Sequence, residues 1–190
     1  MKYTILALAL ASTSFGGVIL TMDEVGFQPI NGLAVVKGGV TFNFTDTTGA
    51  DYDSSGPGQE TYVQDPGIEG PNAGELISIS FSQSFTVVQF GLALSIMSPV
   101  ADMATVNLYE GPTLVLSTSF GSLLEDSFTE GLFSYTGAYV NGITIAPDST
   151  DAGAFALDNL LVSTPEPSTF SMLAGAILAG AGIFKLRKRA

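Results

Sequence analysis

The chain has 190 residues, of which 18 are acidic and 6 are basic, and it contains neither Cys nor His. Without Cys there are no disulfides, thiol nucleophiles or Cys-bound zinc ions, and without His the usual proton acceptor of serine and cysteine hydrolases is missing. The net charge of −12 would repel phosphate groups, so we expect no nucleic-acid partner.

Residues 1–16 are predicted to be a secretory signal peptide. Lys2 precedes an apolar run over residues 5–10, and small residues end the segment at Gly16. The alternative is an uncleaved anchor helix, but the apolar run is too short to span a membrane. We therefore expect export, with cleavage after Gly16.

Residues 17–164 are long enough for one domain with a sizeable core. All but one of the 18 acidic residues lie in this stretch, and Lys37 is its only base. Such a surface keeps an exported protein soluble, and it also attracts divalent cations.

Short runs rich in β-branched and aromatic residues, separated by Gly, Pro, Asn and Asp, predict an all-β domain. The predicted strands cover residues 18–22, 40–44, 75–81, 85–96, 105–109, 114–120, 132–135, 143–146 and 155–162. Alternation predicts that Val106 and Leu108 face the core, whereas Asn107, Tyr109 and Thr144 face outward. About nine short strands predict an antiparallel two-sheet β-sandwich of jelly-roll type, with a barrel as the alternative.

Residues 45–74 interrupt the strand pattern and are predicted to form a long acidic loop. The segment is rich in Gly and Pro, holds six acidic residues and has hardly any aliphatic side chain. Asp51 and Asp53 are spaced like the first ligands of a calcium loop, but Tyr62 stands where that loop requires Glu, so the motif is not an EF-hand. Calcium binding by Asp51 and Asp53 remains an alternative to a simple polar loop.

Tyr52 and Tyr62 in this loop are the candidate sugar-binding residues. Sugar rings stack on aromatic side chains, and the chain has no Trp. Tyr109, Tyr135 and Tyr139 are further candidates. This composition favours weak, multivalent association with polysaccharide over a deep lectin pocket.

Residues 165–190 have the organisation of a sorting tail. Pro165, Glu166 and Pro167 are followed by an uncharged apolar helix predicted over residues 170–184. The chain then ends in a basic cluster that contains Lys185, Arg187, Lys188 and Arg189. The helix is barely long enough to span a bilayer, and the positive-inside rule places the basic cluster in the cytoplasm and the body outside. The alternative is a buried core helix.

The tail resembles the PEP-CTERM sorting domain, also known as the ice-binding protein C-terminal domain. The resemblance rests on Pro165-Glu166-Pro167, the short apolar helix and the basic end. It implies recognition by an exosortase, a membrane-embedded enzyme similar to cysteine transpeptidases that cleaves near the Pro-Glu-Pro motif. It also implies transient anchoring in the inner membrane and delivery of the body to the cell surface or the exopolysaccharide.

The body loosely resembles the β-sandwich domains that often precede this tail, including jelly-roll modules of the carbohydrate-binding kind. The resemblance rests on the acidic pair Asp23-Glu24, the strand at residues 39–42 and the run at residues 155–160. It implies that the first and last strands are neighbours, and that Asp23 or Glu24 together with Asp158 hold a structural Ca²⁺. The alternative is that Asp158 hydrogen-bonds the backbone at a turn or bulge. No other cofactor is expected.

These features together predict an exported, non-enzymatic protein of the cell surface or extracellular matrix, with a structural or adhesive role. We find no phosphate-binding loop, dinucleotide fingerprint or nucleophile elbow. The first alternative function is that of a weak carbohydrate-binding module. The second is a carboxylate-dependent glycoside hydrolase, which needs two acids that face each other across a cleft.

Overall fold

A computed structural model describes residues 17–164, apart from residues 48, 55, 59, 72, 75, 126–127 and 149–151. The predicted signal peptide and sorting tail lie outside the described residues. Residues Gly17–Thr164 form one compact unit. Among the residues that the structure describes, no helix is long and apolar enough to cross a membrane.

The described residues form twelve β-strands and no α-helix, which confirms the all-β prediction. The strands are β1 (Val18–Leu20), β2 (Gln28–Pro29), β3 (Ala34–Lys37), β4 (Val40–Asp46), β5 (Asp51–Ser54), β6 (Gly67–Gly70), β7 (Ile77–Leu94), β8 (Ala104–Glu110), β9 (Thr113–Phe120), β10 (Leu123–Glu125), β11 (Phe128–Pro147) and β12 (Phe155–Ser163).

Hydrogen bonds join these strands into one continuous antiparallel sheet. Its order is β2-β5-β6-β12-β7-β11-β8-β9, with β1 beside β12, β3 beside β4, β4 beside β7 and β10 beside β11. The predicted antiparallel pairing is confirmed, and the two sheets of the predicted sandwich are joined into one because the long strands β7 and β11 run through both parts. The first part of β7 pairs with β4, whereas its second part pairs with β12.

Each long strand replaces two predicted short ones. The predicted strands at residues 75–81 and 85–96 both overlap β7, and those at residues 132–135 and 143–146 both lie within β11. Register shifts between Thr136 and Gly142 interrupt the pairing of β11 with β7 without ending either strand. Such irregularities bend a strand, so one strand takes part in both parts of the sheet.

One main cluster of buried side chains supports both parts of the sheet. Phe42 and Phe44 contribute from β4, and Phe90 of β7 stacks on Phe133 of β11 with ring centroids 5.0 Å apart. Burial of each such side chain contributes about 1.5–3 kcal/mol. The main core therefore lies on one face of the sheet, and the opposite face of β4, β8, the first part of β7 and the second part of β11 points away from it.

The predicted long loop at residues 45–74 is wrong towards both of its ends, whereas the described residues between β5 and β6 form no strand. β4 continues to Asp46, and both β5 and β6 lie inside the segment. The segment has few apolar side chains, but Tyr52, Val63 and Ile68 are each fully buried. These three buried side chains attach the segment to the core. The overall polar composition of the segment does not indicate this, because it averages over all of its residues.

Candidate functional site

The outer face of β4, β8, the first part of β7 and the second part of β11 is polar and uncharged. Along each strand, buried apolar residues alternate with residues that face away from the core. The outward positions are Asn43 and Thr45 on β4, Ser78 and Ser80 on β7, Gly142 and Thr144 on β11, and Asn107 and Tyr109 on β8. The predicted outward positions of Asn107, Tyr109 and Thr144 are confirmed.

Strand register arranges these residues in two rows across four strands. In the first row Asn43 is paired with Ser80, Ser80 with Gly142, and Gly142 with Tyr109. The second row consists of Thr45, Ser78, Thr144 and Asn107, paired in the same way. Since neighbouring strands are about 4.8 Å apart, each row is about 14 Å long.

A surface groove of about 410 Å³ follows these rows. Seven of the eight outward residues line it, together with Gly111 directly after β8 and Asn141 within β11. None of the described residues that line the groove is charged. The groove therefore offers neutral hydroxyl, amide and aromatic groups to a ligand.

Gly142 leaves the space between Ser80 and Tyr109 open. A Cβ atom at this position would lie 3.8 Å from the Cβ of Tyr109 and 3.9 Å from the carbonyl oxygen of Ile79. These are ordinary van der Waals distances, so a side chain would be compatible with the strand but would occupy the groove. Glycine within a strand often marks such an approach by a ligand.

Two hydrogen bonds hold the polar groups of this face in place. Asn107 Nδ2 donates to Thr144 Oγ1 at 3.1 Å, and the Gly111 N–H donates to Asn141 Oδ1 at 2.8 Å. Because these side chains are already oriented, a ligand would lose less conformational entropy on binding.

The two candidate sugar-binding tyrosines lie outside this groove. Tyr52 is fully buried, packs edge-on against Phe44 and donates its hydroxyl proton to Glu24. Its ring is therefore not accessible for sugar stacking, which corrects that prediction. Tyr62 is half-buried, and the structure gives it backbone contacts with Glu130 and Asn159. Tyr109 is the tyrosine that lines the groove.

Glu24 is part of a structural cluster with the only base of the domain. Its carboxylate forms an ion pair with Lys37 and accepts hydrogen bonds from the Tyr52 hydroxyl and the Thr21 N–H. Burial acts to raise the pKa of Glu24, but the bonds from Lys37, Tyr52 and the backbone outweigh it and lower the pKa to about 2. Burial, and then the bond to Glu24, raises the pKa of Tyr52 above its usual range.

This cluster predicts a pH dependence of stability. Because the pKa of Glu24 is lowered from 4.5, its stabilising contribution is complete above about pH 4.5 and is lost as the pH falls towards 2. We expect Glu24→Gln to cost about 1–2 kcal/mol more at neutral pH than near pH 2.5, after allowance for screening at the half-exposed Lys37. Urea unfolding of both proteins at the two pH values measures this difference, and equal costs would contradict the assignment.

The predicted proximity of the first and last strands is confirmed, since β1 pairs with β12. The buried Asp158 on β12 accepts hydrogen bonds from the N–H groups of Gln64 and Asn159, at 3.1 and 2.6 Å. The register of β12 shifts directly after Asp158, and Asn159 has φ 55°. Asp158 therefore hydrogen-bonds the backbone at a bulge, which is the predicted alternative to calcium binding.

The electrostatics of Asp158 reflect this burial. Burial, with smaller contributions from the charges of Glu24 and Asp23, outweighs the opposing effect of the two N–H bonds and raises its pKa to about 6. Among the residues that the structure describes, no group of three or more acidic side chains is placed to hold a metal ion. Calcium binding by Asp23, Glu24 and Asp158, or by Asp51 and Asp53, stays a prediction.

Glu130 is a second buried carboxylate, and no sequence motif marks it as a candidate residue. It is 1% exposed and accepts hydrogen bonds from three consecutive backbone N–H groups, those of Thr61, Tyr62 and Val63, at 2.9, 2.8 and 3.2 Å. It therefore attaches the segment at residues 61–63 to β11.

A pair of carboxylates lines another cavity, of about 300 Å³. Asp51 on β5 and Glu69 on β6 are direct register partners, and both line this cavity. Burial, and then the charge of Asp65, raises the pKa of Glu69. Like charges directly opposite each other destabilise a sheet, so this pair does not stabilise the fold. Glycosidases use a pair of carboxyl groups for catalysis.

No protein-family model and no curated protein matches the chain. Solved structures of carbohydrate-binding modules of family 29 are similar to it in part. The module CBM29_1 from Piromyces equi is 16% identical, with a TM-score of 0.38, over 73% of this chain and 90% of that chain. A CBM29-2 variant complexed with mannohexaose is 13% identical, with a TM-score of 0.36, over 79% of this chain and 92% of that chain. Similarity at this level assigns neither a ligand nor a site to this chain.

Proposed function

We propose that the domain at residues 17–164 binds neutral polysaccharide, without catalysis, through the groove across β4, β7, β11 and β8. The observation that supports this best is the uncharged lining, in which hydroxyl and amide groups surround Tyr109. Sugar hydroxyls exchange hydrogen bonds with such groups, and a sugar ring packs against the aromatic face. The polar side chains that line the groove and Tyr109 are half-buried or exposed, so each contact is weak and several are needed.

The charge of the domain supports the choice of a neutral ligand. All but one of the 18 acidic residues lie within it. An acidic polysaccharide would meet electrostatic repulsion, whereas a neutral one would not. Binding to glucomannan, hydroxyethylcellulose and dextran, compared with alginate and polygalacturonate in affinity gel electrophoresis, tests the ligand class.

We expect Tyr109→Ala to lower the affinity for the neutral polymer at least about tenfold, because it removes the aromatic surface of the groove. Tyr139→Ala is the matched control, since Tyr139 is 57% exposed and does not line the groove. Both variants are measured by affinity electrophoresis after their unfolding curves have been compared. Equal retardation of wild type and Tyr109→Ala would contradict the proposal.

Glycoside hydrolysis is the second candidate function, favoured by the Asp51–Glu69 pair at its cavity. Under the binding proposal we expect the protein to release no new reducing ends from the same polymers. A reducing-sugar assay over several hours measures this. Release that disappears in Glu69→Gln would establish hydrolysis instead.

We further propose that the protein is exported, processed by an exosortase and delivered to the cell surface or extracellular matrix, where it acts as a structural or adhesive component. This proposal is supported by the sequence of residues 1–16 and 165–190 alone. Mass spectrometry of the secreted and membrane fractions tests it. A C-terminus near Pro165–Pro167 outside the cell is the expected result, and intact Arg189 found only in the membrane would contradict it.

A further inference from the structure

We infer that the groove binds internal segments of an extended linear glycan, which lies across the strands from β4 to β8. This inference rests on the proposed function of the same groove and specifies the shape of its ligand. The alternative shapes are a single sugar, a chain end and a compact branch.

The length of the groove favours an extended chain. Its two rows run from Asn43 and Thr45 on β4 to Tyr109 on β8, over a distance of about 14 Å. One hexose is roughly as long as one strand spacing of about 4.8 Å, so a single sugar would contact one or two strands. The polar groups at the other end of each row would then make no contact with the sugar.

The composition of the rows favours a chain that lies in the groove lengthwise. The first row has small or short side chains up to Tyr109, and Gly142 leaves its centre open. The second row presents the hydroxyl groups of Thr45, Ser78 and Thr144 along one side of that opening. A linear chain would place its ring faces and hydroxyl edges along these two different surfaces.

The ends of the rows favour internal segments over chain ends. Beyond Asn43, the next residue in register is the exposed Ala34 of β3, which carries only a methyl group. Beyond Tyr109, the next residue is Leu114 of β9, which is 52% exposed. The sheet thus continues at both ends of the groove, and a polymer can continue over β3 and β9.

Titration of the wild-type protein with cello- and manno-oligosaccharides of increasing length tests this inference. We expect affinity to rise at least about tenfold from disaccharide to tetrasaccharide, because new contacts are added strand by strand. Asn43→Ala should weaken tetrasaccharide binding several-fold, and it should weaken tetrasaccharide binding more than disaccharide binding. Asn31→Ala is the matched control, since Asn31 is exposed and lies outside the groove. Chemical reduction of the hexasaccharide end should not change its affinity.

The outcomes separate this inference from the proposed function. If the disaccharide binds as tightly as the hexasaccharide, or if reduction of the chain end abolishes binding, the inference is wrong while polysaccharide binding stands. If no oligosaccharide and no neutral polymer binds, both are wrong. A length dependence that Asn43→Ala removes would support both.

Discussion

Glu130→Ala is expected to lower the free energy of unfolding by at least about 3 kcal/mol. The substitution leaves the N–H groups of residues 61–63 without the carboxylate that accepts all three hydrogen bonds. A hydrogen bond to a charged group contributes about 1.5–3 kcal/mol, and entering water compensates only part of that loss. Equilibrium urea unfolding, followed by circular dichroism, measures the change.

The surroundings of Glu130 explain why the loss should be large. Val63, whose N–H is one of the three, is fully buried against Ala93 and Ala156. The same segment passes so close to β7 that a Cβ atom at Gly91 would overlap the Tyr62 carbonyl group. Release of the segment would therefore expose a small apolar cluster as well as three polar groups.

Two further variants make this prediction specific. Glu130→Gln keeps one acceptor oxygen and should cost less than Glu130→Ala. Glu110→Ala removes an exposed carboxylate that accepts a hydrogen bond from the Ser84 hydroxyl. This substitution should change the free energy of unfolding by less than about 0.5 kcal/mol. A cost for Glu130→Ala as small as that for Glu110→Ala would show that the three N–H bonds do not stabilise the domain.

Gly142→Ile is expected to abolish detectable binding to neutral polysaccharide while the domain stays folded. The new Cβ atom would lie 3.8 Å or more from its neighbours, so the backbone can accept it. The rest of the isoleucine side chain would then fill the groove between Ser80 and Tyr109. Isoleucine is also a good strand former, so no loss of sheet stability is expected. Affinity electrophoresis and thermal unfolding measure the two effects.

Gly26→Ile is the matched control for this substitution. A Cβ atom at Gly26 would meet nothing within 4 Å, and this glycine does not line the groove. The control should bind polysaccharide like the wild type. Unchanged binding by Gly142→Ile would place the ligand elsewhere on the domain. Loss of binding in both variants would show that the loss does not depend on filling the groove, which would also contradict the prediction.

Local alternation predicted part of this site. Val106 and Leu108 are buried, Asn107 and Tyr109 face outward, and Thr144 is half-buried on the outer face. These predictions succeeded because side-chain direction in a strand has a period of two, which is a property of a short stretch of sequence. The scarcity of polar aromatic residues makes Tyr109 a further candidate for sugar stacking, but nothing in the sequence favours it over Tyr52.

The rest of the site depends on register between strands that are distant in sequence. Ser80, Gly142 and Tyr109 become neighbours only when β7, β11 and β8 pair, and no local pattern reports that pairing. The burial of Tyr52 was missed for a related reason, since its hydroxyl group is satisfied by Glu24 from another part of the chain. The sequence alone does not distinguish a buried polar side chain, whose hydrogen-bond partner is distant in the chain, from an exposed one.

The limits of strands were predicted less well than their existence. Polar residues at 82–84 suggested a break within β7, and Gly and Asn residues near 137–142 suggested a break within β11. The structure continues both strands through these positions, with register shifts in the β11–β7 pairing. A shift in register lets a strand continue through residues whose composition alone predicts a turn.

The location of the bound glycan is the most direct test of the proposed function. Titration of isotopically labelled domain with a manno- or cello-hexasaccharide, followed by amide NMR shifts, maps that location residue by residue. The predicted result is a set of shifts confined to residues 43–45, 78–80, 107–111 and 141–144. Shifts centred on Asp51 and Glu69, or no shifts at saturating glycan, would contradict it.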